Sequence, residues 1–255
     1  MKQGDFTELA KSYINRPAYS YQIINALLKY MEYDKNNFTT ADVGAGTGKL
    51  TKVLLEMGVN VSHAVEPNDQ MREEGINYTK AFSTKWLKGS GEITSLDNNS
   101  VNWLTMASSF HWTDPAKSLP EFSRVLKPGG YFTAIWNPRN IASSKLHTEI
   151  EDIIYQIAPN IQRVSSGSKS HTKNWDEILI STGHFKDVIF MEVDHTEIMS
   201  IERYMGAWRS VNDIRAQAGE EKFSLILKTI EDKIKHLQEI AVPYKMRSWT
   251  AQNVG

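Results

Sequence analysis

Three glycines within five positions constrain the fold of this chain more than any other sequence feature. They lie in the stretch ADVGAGTGKL, where Gly44, Gly46 and Gly48 separate a short strand-like run from the helical spacing that begins at Leu50. A strand, a glycine-rich turn and a helix together form a ligand crevice at the carboxyl end of a parallel sheet. Glycine suits such a turn because it has no Cβ to restrict the backbone or to block a ligand.

Hydrophobic periodicity along the rest of the chain predicts alternating strands and helices, and hence an α/β fold with a largely parallel sheet. The predicted strands are 39–43, 59–66, 85–89, 101–107, 131–136, 187–194 and a last strand from 240. The predicted helices are 5–15, 20–33, 50–57, 71–78, 115–126, 146–157, 175–182, 200–209 and 220–239. The sequence KPGG at 127–130 predicts a turn, and the serine-rich stretch 163–174 predicts a surface loop.

Composition excludes several classes of protein. A chain of 255 residues, 40% of them hydrophobic, suits one α/β domain, and its formal net charge of −1 predicts no general attraction to nucleic acid or anionic membranes. Because there is no cysteine, disulfides, thiolate zinc sites and cysteine nucleophiles are excluded. The seven histidines show no metal-ligand spacing, so we predict no metal site. With no signal-like or membrane-length apolar run, we expect a cytoplasmic protein that does not enter the membrane.

The spacing within the glycine loop separates two ligand classes. Enzymes that bind dinucleotides use G-x-G-x-x-G, whereas here the third glycine arrives one residue early and Lys49 stands in its place. Asp42, just before the loop, would repel a pyrophosphate and would suit a ligand that carries an ammonium or a sulfonium. P-loop chemistry is excluded because no G-K-[ST] follows.

The run D-V-G-A-G-T-G resembles motif I of the class I S-adenosylmethionine-dependent methyltransferases, and residues 38–137 carry the likeness. The N-terminal pattern Tyr13-x-x-Arg16-Pro17-x-Tyr19 is similar to a lid segment of the type 11 small-molecule subgroup. This resemblance implies a Rossmann-like seven-stranded sheet with its last strand antiparallel, helices on both faces and a helical cover. It also implies a single methyltransferase domain over 1–255, with a lid at about 1–33 and cover insertions at about 138–185 and 200–219.

The same resemblance implies a set of cofactor contacts. Glu66, in E-P-N-D-Q-M, would take the ribose hydroxyls, since a carboxylate suits a vicinal diol, and Met71 would pack on the adenine. Ser90 stands where the family often has an acid that holds the adenine amino group, and Trp86 or Ile93 could supply apolar contact instead. The implied cofactor is S-adenosylmethionine, with S-adenosylhomocysteine as product. The implied contacts are Asp42, Gly44, Ala45, Gly46, Gly48, Glu66, Pro67, Met71, Ser90, Gly91, Glu92, Ala107 and Ser108.

Methyl transfer needs mainly alignment of the acceptor with the methyl group and exclusion of water, and a base only where the acceptor must lose a proton. His111, in FHWTDP after the fourth strand, is the candidate catalytic base, and the alternative is that it only shapes the pocket wall. An arginine on the cover would suit a substrate carboxylate, although a surface arginine with a packed stem is the alternative. The candidate substrate contacts are Tyr13, Arg16, Tyr19, Trp112, Asn137, Arg139, Trp208 and Arg209.

The sequence therefore predicts methyl transfer from S-adenosylmethionine to an oxygen, nitrogen or carboxylate of a small molecule. A nucleic-acid substrate is disfavoured, because S-S-F-H stands where amino-methylating enzymes of this fold carry [DNS]-P-P-[YFW]. Two alternatives stay open: a nicotinamide-dependent oxidoreductase, and a non-catalytic binding protein of the same fold. The acceptor and the oligomeric state leave no signal in the sequence.

Overall fold

The computed structural model describes residues 13, 15–162 and 173–255. The strands are β1 (Thr40–Val43), β2 (Val61–Val65), β3 (Lys85–Leu87), β4 (Val101–Ala107), β5 (Leu126–Trp136), β6 (Phe185–Ser200) and β7 (Glu239–Asn253). The helices are α1 (Tyr21–Tyr30), α2 (Lys49–Glu56), α3 (Asp69–Thr79), α4 (Pro115–Val125), α5 (Lys145–Ile157), α6 (Trp175–Ile180), α7 (Ile201–Arg209) and α8 (Asn212–Ile234), with 3₁₀ turns at Phe110–Trp112 and Ile141–Ser143. Most of the predicted helix 5–15 and of the predicted loop 163–174 lies outside the described residues.

The strands form one seven-stranded sheet in the order β3-β2-β1-β4-β5-β7-β6. Strands β1 to β5 pair in parallel, whereas β7 runs antiparallel to β5, from Tyr131 opposite Gln252 to Trp136 opposite Arg247. The neighbours Trp103 and Leu104 on β4 are fully buried in different apolar clusters, so both faces of the sheet are covered. The predicted Rossmann-like fold, with its last strand antiparallel and inside the sheet, is confirmed.

Three predicted boundaries are wrong for physical reasons. The predicted turn at 127–130 lies within β5. On either side of it, Val101 pairs with Leu126 and Trp103 pairs with Tyr131. The single residue Asn102 on β4 therefore lies opposite four residues of β5. The extra residues form a bulge, which keeps the positive φ of 74° at Gly129 inside the strand. Strand β6 continues to Ser200 rather than ending at 194. Its exposed and half-buried positions alternate beyond the apolar residues on which the prediction was based. Helix α8 is broken at Gly219, so its second part begins at 220 as predicted, but it ends at Ile234 rather than 239, and its first part, from Asn212, was not predicted.

The described chain divides into two compact units. The sheet unit contains 18–136, 173–193 and 246–255, and the helical unit contains 13, 15–17, 137–162 and 194–245. The sheet unit packs two apolar clusters against its strands, whereas the helical unit has one cluster of its own, built on α5, α7 and α8. The division into one domain with a lid and cover insertions stays a prediction. No described helix is both long enough and apolar enough to cross a bilayer.

Candidate functional site

The glycine loop joins β1 to α2 and requires glycine at all three positions. Gly44, Gly46 and Gly48 have φ angles of 64°, 58° and 77°, in the left-handed region that side chains rarely adopt. A Cβ on Gly44 would lie 2.7 Å from the hydroxyl oxygen of Ser109, and one on Gly46 would lie 3.4 Å from the terminal methyl of Met71. The loop therefore forms a cradle of bare backbone, and Met71 is adjacent to it.

Glu66 holds this loop from the end of β2. It is only 7% exposed; its Oε2 accepts the Gly46 N–H at 2.8 Å, and its Oε1 accepts the Asn68 N–H at 2.9 Å. Burial raises the pKa of Glu66, and the two backbone N–H groups act in the opposite direction. The Ala45 N–H also donates to the Val65 carbonyl at 3.0 Å. Glu66 thus lies beside the cradle, and its contact with a ribose stays a prediction.

Asp42 lies beneath the loop rather than at its surface, which corrects our expectation that its carboxylate faces a ligand cation. It is 1% exposed, because β1 is buried along its whole length. Its Oδ2 accepts the hydroxyl of Thr51 on α2 at 2.6 Å, and its Oδ1 accepts that of Thr105 on β4 at 2.9 Å. Burial raises the pKa of Asp42 to about 6, against the opposing effect of these hydroxyls. The two hydrogen bonds of Asp42 link β1 to α2 and to β4, so the side chain positions these three elements relative to one another.

Residues 90–92, which belong to the implied cofactor contacts, pack on the turn after β4. The Ser90 hydroxyl accepts the N–H groups of Glu92 and Ile93, both at 3.3 Å, and so closes its own turn. Glu92 Oε1 accepts the Asp114 N–H at 2.9 Å. A Cβ on Gly91 would lie 2.6 Å from the methyl of Thr113, so a side chain at this position would require Thr113 to move.

Trp86 and Ile93, the alternative apolar contacts for the adenine, and Pro67 do not pack on the turn after β4. Trp86 donates its indole N–H to Thr79 Oγ1 at 3.0 Å and packs on α3, where its ring covers Gly75. Ile93 is 72% exposed. Pro67 is also exposed, between Glu66 and the cap of α3. A Cβ on Gly48 would also lie 3.2 Å from the Trp86 ring, so Trp86 packs both on α3 and beside the glycine loop, and its contact with the adenine stays a prediction.

The end of β4 brings together residues from two predicted sets. Ser108 follows Ala107 with a φ of 53°, a strained conformation for a residue other than glycine, and its N–H donates to Ile135 O at 2.7 Å. The Tyr19 hydroxyl donates to Ser108 Oγ at 3.3 Å. Ser109, which no sequence motif indicates, lies against Gly44. Tyr19, a predicted substrate contact, therefore lies against Ser108, a predicted cofactor contact, within the sheet unit.

His111 receives a hydrogen bond that bears directly on its predicted role. The Trp136 indole N–H donates to His111 Nδ1 at 3.2 Å, and the imidazole lies 4.7 Å from the ring of Trp112, which is 50% exposed. A neutral imidazole has one lone pair, so acceptance at Nδ1 places the proton on Nε2. In this tautomer Nε2 donates a hydrogen bond, whereas a base would need its lone pair there. Trp136, held by its stack on Trp175 at 4.5 Å, was missed because its indole has no motif.

The other predicted substrate contacts lie in the helical unit. Arg16 donates to Ser210 Oγ at 2.6 Å and to Ser210 O at 2.8 Å, with its guanidinium 5.0 Å from the Tyr13 ring. Asn137 Oδ1 lies 2.8 Å from His195 Nε2.

Two of the predicted contacts are neighbours on α7 and differ in burial. Trp208 is 1% exposed and lies 4.1 Å below the guanidinium of Arg139, measured from ring centroid to central carbon. Arg209 is exposed. Arg209 therefore does not share the buried surroundings of Trp208, and its contact with a substrate stays a prediction.

A family of known proteins matches the part of the chain that carries the loop. Residues 41–134 match the family model described as a methyltransferase domain. An uncharacterised methyltransferase of Mycobacterium tuberculosis is 39% identical over 125 residues, which is 49% of this chain and 48% of the relative. The chain thus spans about half the length of the curated relatives it matches.

Solved structures agree with the fold. A structure described as a type II methyltransferase from Anaeromyxobacter dehalogenans matches with a TM-score of 0.60 and 18% identity, over 94% of this chain and 98% of that one. Phosphoethanolamine N-methyltransferase 2 of Haemonchus contortus, in complex with phosphomonomethylethanolamine and S-adenosylhomocysteine, matches with a TM-score of 0.55 and 14% identity, over 99% of this chain and 61% of that one. The sequence match and the sheet topology together confirm the resemblance to class I methyltransferases, and residues 41–134 carry the match to the methyltransferase domain.

Within the described ranges, no three histidine, aspartate or glutamate side chains are grouped as metal ligands would be.

Proposed function

We propose that this protein transfers a methyl group from S-adenosylmethionine to an oxygen, nitrogen or carboxylate of a small molecule. The observation that carries the proposal is the cradle of three left-handed glycines, held by Glu66, within the segment that matches the methyltransferase family. The net charge of −1 supports a small-molecule acceptor rather than a nucleic acid or an anionic membrane surface. We also propose that the protein acts in the cytoplasm.

The residues of the cradle fit this cofactor. Gly44 and Gly46 leave room for a ligand against the backbone, Glu66 offers carboxylate oxygens beside it, and Met71 adds an apolar surface. When bound, the cofactor supplies a methyl group already activated by its positively charged sulfur. The protein then has to orient the acceptor and exclude water.

The proposed role of His111 follows from its bond to Trp136. With the proton on Nε2, His111 donates a hydrogen bond to an acceptor atom of the substrate and so orients it. Our first prediction, a general base, requires the other tautomer and the loss of the Trp136 bond. A carboxylate acceptor needs no base, because it carries no proton to lose.

Calorimetry with S-adenosylhomocysteine tests the cofactor assignment. We expect saturable binding at micromolar to millimolar ligand, and no binding of NADH under the same conditions. The NADH control matters because burial of Asp42 removes the repulsion that disfavoured a dinucleotide. Binding of NADH alone would support the oxidoreductase, whereas S-adenosylhomocysteine binding with no turnover across a metabolite panel would support a non-catalytic protein.

A further inference from the structure

Near Arg139, four buried polar atoms have no hydrogen-bond partner in the described part of the chain. They are Tyr204 Oη, Trp208 Nε1, Tyr244 Oη and His147 Nε2, on side chains that are between 0% and 2% exposed. Buried polar groups are nearly always paired, because they lose their bonds to water on folding. Four such atoms in one region therefore need a physical explanation.

All four side chains surround one guanidinium. Its central carbon lies 4.1 Å from the Trp208 ring centroid and 5.8 Å from that of Tyr204, and the Tyr204 ring lies 5.8 Å from the ring of His147. Arg139 also pairs with Tyr244 in an antiparallel bridge between backbones. Burial raises the pKa values of Tyr204 and Tyr244 and lowers that of His147, and the charge of Arg139 lowers all three. The phenol of Tyr244 also interacts with Arg139 and that of Tyr204 with Trp208, and both contacts lower the phenol pKa.

Arg139 itself has no acidic partner in the ranges that the structure describes. The nearby acid Glu197 is taken by Arg203 at 2.6 Å, and Glu149 is taken by Lys233, also at 2.6 Å. Arg139 is half-buried and stacks on Trp208, so water and the ring face stabilise its charge while leaving it open to a ligand carboxylate. The region thus combines one positive charge with four groups that can each donate a hydrogen bond.

A purely structural role does not account for the two phenols. Phenylalanine at 204 or 244 would fill almost the same volume and would leave no buried hydroxyl unpaired. Residues that break a local packing rule in this way are typical of functional sites. The chemistry that satisfies a guanidinium together with O–H and N–H donors is that of a carboxylate.

We propose that Arg139, Tyr204, Trp208, Tyr244 and His147 form a subsite for the carboxylate of a small organic acid, which is the methyl acceptor. This identification of the acceptor rests on the proposed methyl transfer. A monovalent carboxylate matches the single charge of Arg139. The four unpaired atoms are not accessible to water, whereas Arg139 is only half-buried. In the proposed binding event, the acid therefore contacts the guanidinium first, and the hydroxyl groups then rotate to donate hydrogen bonds to it.

The test compares two probes of the same shape on the full chain. Benzoate and benzamide differ only in charge and hydrogen-bonding pattern, and binding of either raises the melting temperature. At 20 mM probe, roughly, we expect benzoate to raise it by at least about 2 °C and benzamide to leave it unchanged. An equal shift with both probes, or none with benzoate, overturns the proposal.

Arginine variants show whether the shift belongs to this subsite. Arg139→Gln should abolish the benzoate shift. Arg215→Gln is the matched control, because it removes the same charge from the same unit at a side chain that is 28% exposed and paired with Glu220. It should keep the full shift. A benzoate shift that survives Arg139→Gln contradicts the proposal.

Phenylalanine variants keep the test decisive if Arg139→Gln does not fold. In Tyr204→Phe and Tyr244→Phe, the melting temperature without probe should stay the same or rise, while the benzoate shift should fall at least twofold. A lower melting temperature without probe, together with an unchanged benzoate shift, would mean that the hydroxyls serve the structure, and the proposal would be wrong.

Calorimetry with S-adenosylhomocysteine separates this proposal from the proposed function. Binding of S-adenosylhomocysteine without any benzoate shift overturns the subsite alone. A benzoate shift in a protein that binds no S-adenosylhomocysteine overturns the methyl-acceptor role.

Discussion

Two pairs of buried polar side chains, one pair in each unit, differ in their hydrogen bonding. In the sheet unit, Asp42 and Glu66 are buried carboxylates, and each has both oxygens hydrogen-bonded. In the helical unit, the hydroxyls of Tyr204 and Tyr244 are buried without a partner near Arg139. An unsatisfied buried polar group costs about 1–3 kcal/mol. The paired carboxylates of Asp42 and Glu66 therefore stabilise the backbone and elements around them, whereas the unpaired hydroxyls near Arg139 are consistent with the proposed ligand site.

The largest effect should come from breaking the backbone of the sheet unit. Gly46→Val places a branched side chain in a left-handed position beside Met71, where a ligand would approach. We expect at least about 100-fold weaker binding of S-adenosylhomocysteine by calorimetry, or about 2.7 kcal/mol. Gly58→Val is the control, because Gly58 also has a positive φ of 78° but its Cβ would meet nothing within 4 Å. Equal affinity of the two variants would refute the cradle.

The buried acid of the sheet unit should make folding less favourable as the pH rises. The pKa of Asp42 is about 6 in the folded protein and 3.8 ordinarily, so the native state binds more protons between these values. Its stabilising effect is full below pH 3.8 and is lost as the pH rises through 6. Relative to Asp42→Asn, the wild type should lose roughly 2–3 kcal/mol of unfolding free energy from pH 4 to 7. Urea unfolding across this range measures it, and a constant difference would contradict the prediction.

A buried base in the helical unit should give the opposite dependence. Burial, and then Arg139, lower the pKa of His147 to about 4 from 6.5. The native state therefore binds fewer protons, and the stabilising effect is full above pH 6.5 and is lost as the pH falls through 4. Compared with His147→Gln, the wild type should lose roughly 2–3 kcal/mol between pH 7 and 4. If the two unfolding curves stay parallel over this interval, the imidazole is not buried as described.

The smallest effect concerns orientation within the sheet unit. His111→Ala should slow turnover about tenfold, or 1.4 kcal/mol. His111→Gln retains a donor near the Nε2 position and should recover most of that loss. Glutamine as slow as alanine would favour the general base and count against the tautomer imposed by Trp136. Long-range proton–nitrogen correlation spectra of the imidazole report the tautomer directly, without any substrate.

The sequence by itself determined the sheet unit almost completely. The glycine spacing predicted a loop whose three φ angles are positive, and the alternating periodicities predicted the strands and helices around it. This succeeded because backbone demands are local, since a left-handed turn requires glycine wherever the chain continues from it. The end of β6 and the bulge in β5 were missed, because both depend on pairing with distant strands.

Only the tertiary structure decided which way the functional side chains point. Asp42 lies two residues before the first glycine, yet burial of β1 turns it onto Thr51 and Thr105. The bond from Trp136 to His111 spans 25 positions, and the residues around Arg139 come from separate segments of the helical unit. Hydrogen-bond partners and counter-charges are properties of neighbours in space, so a pattern along the chain carries no information about them until the fold brings them together.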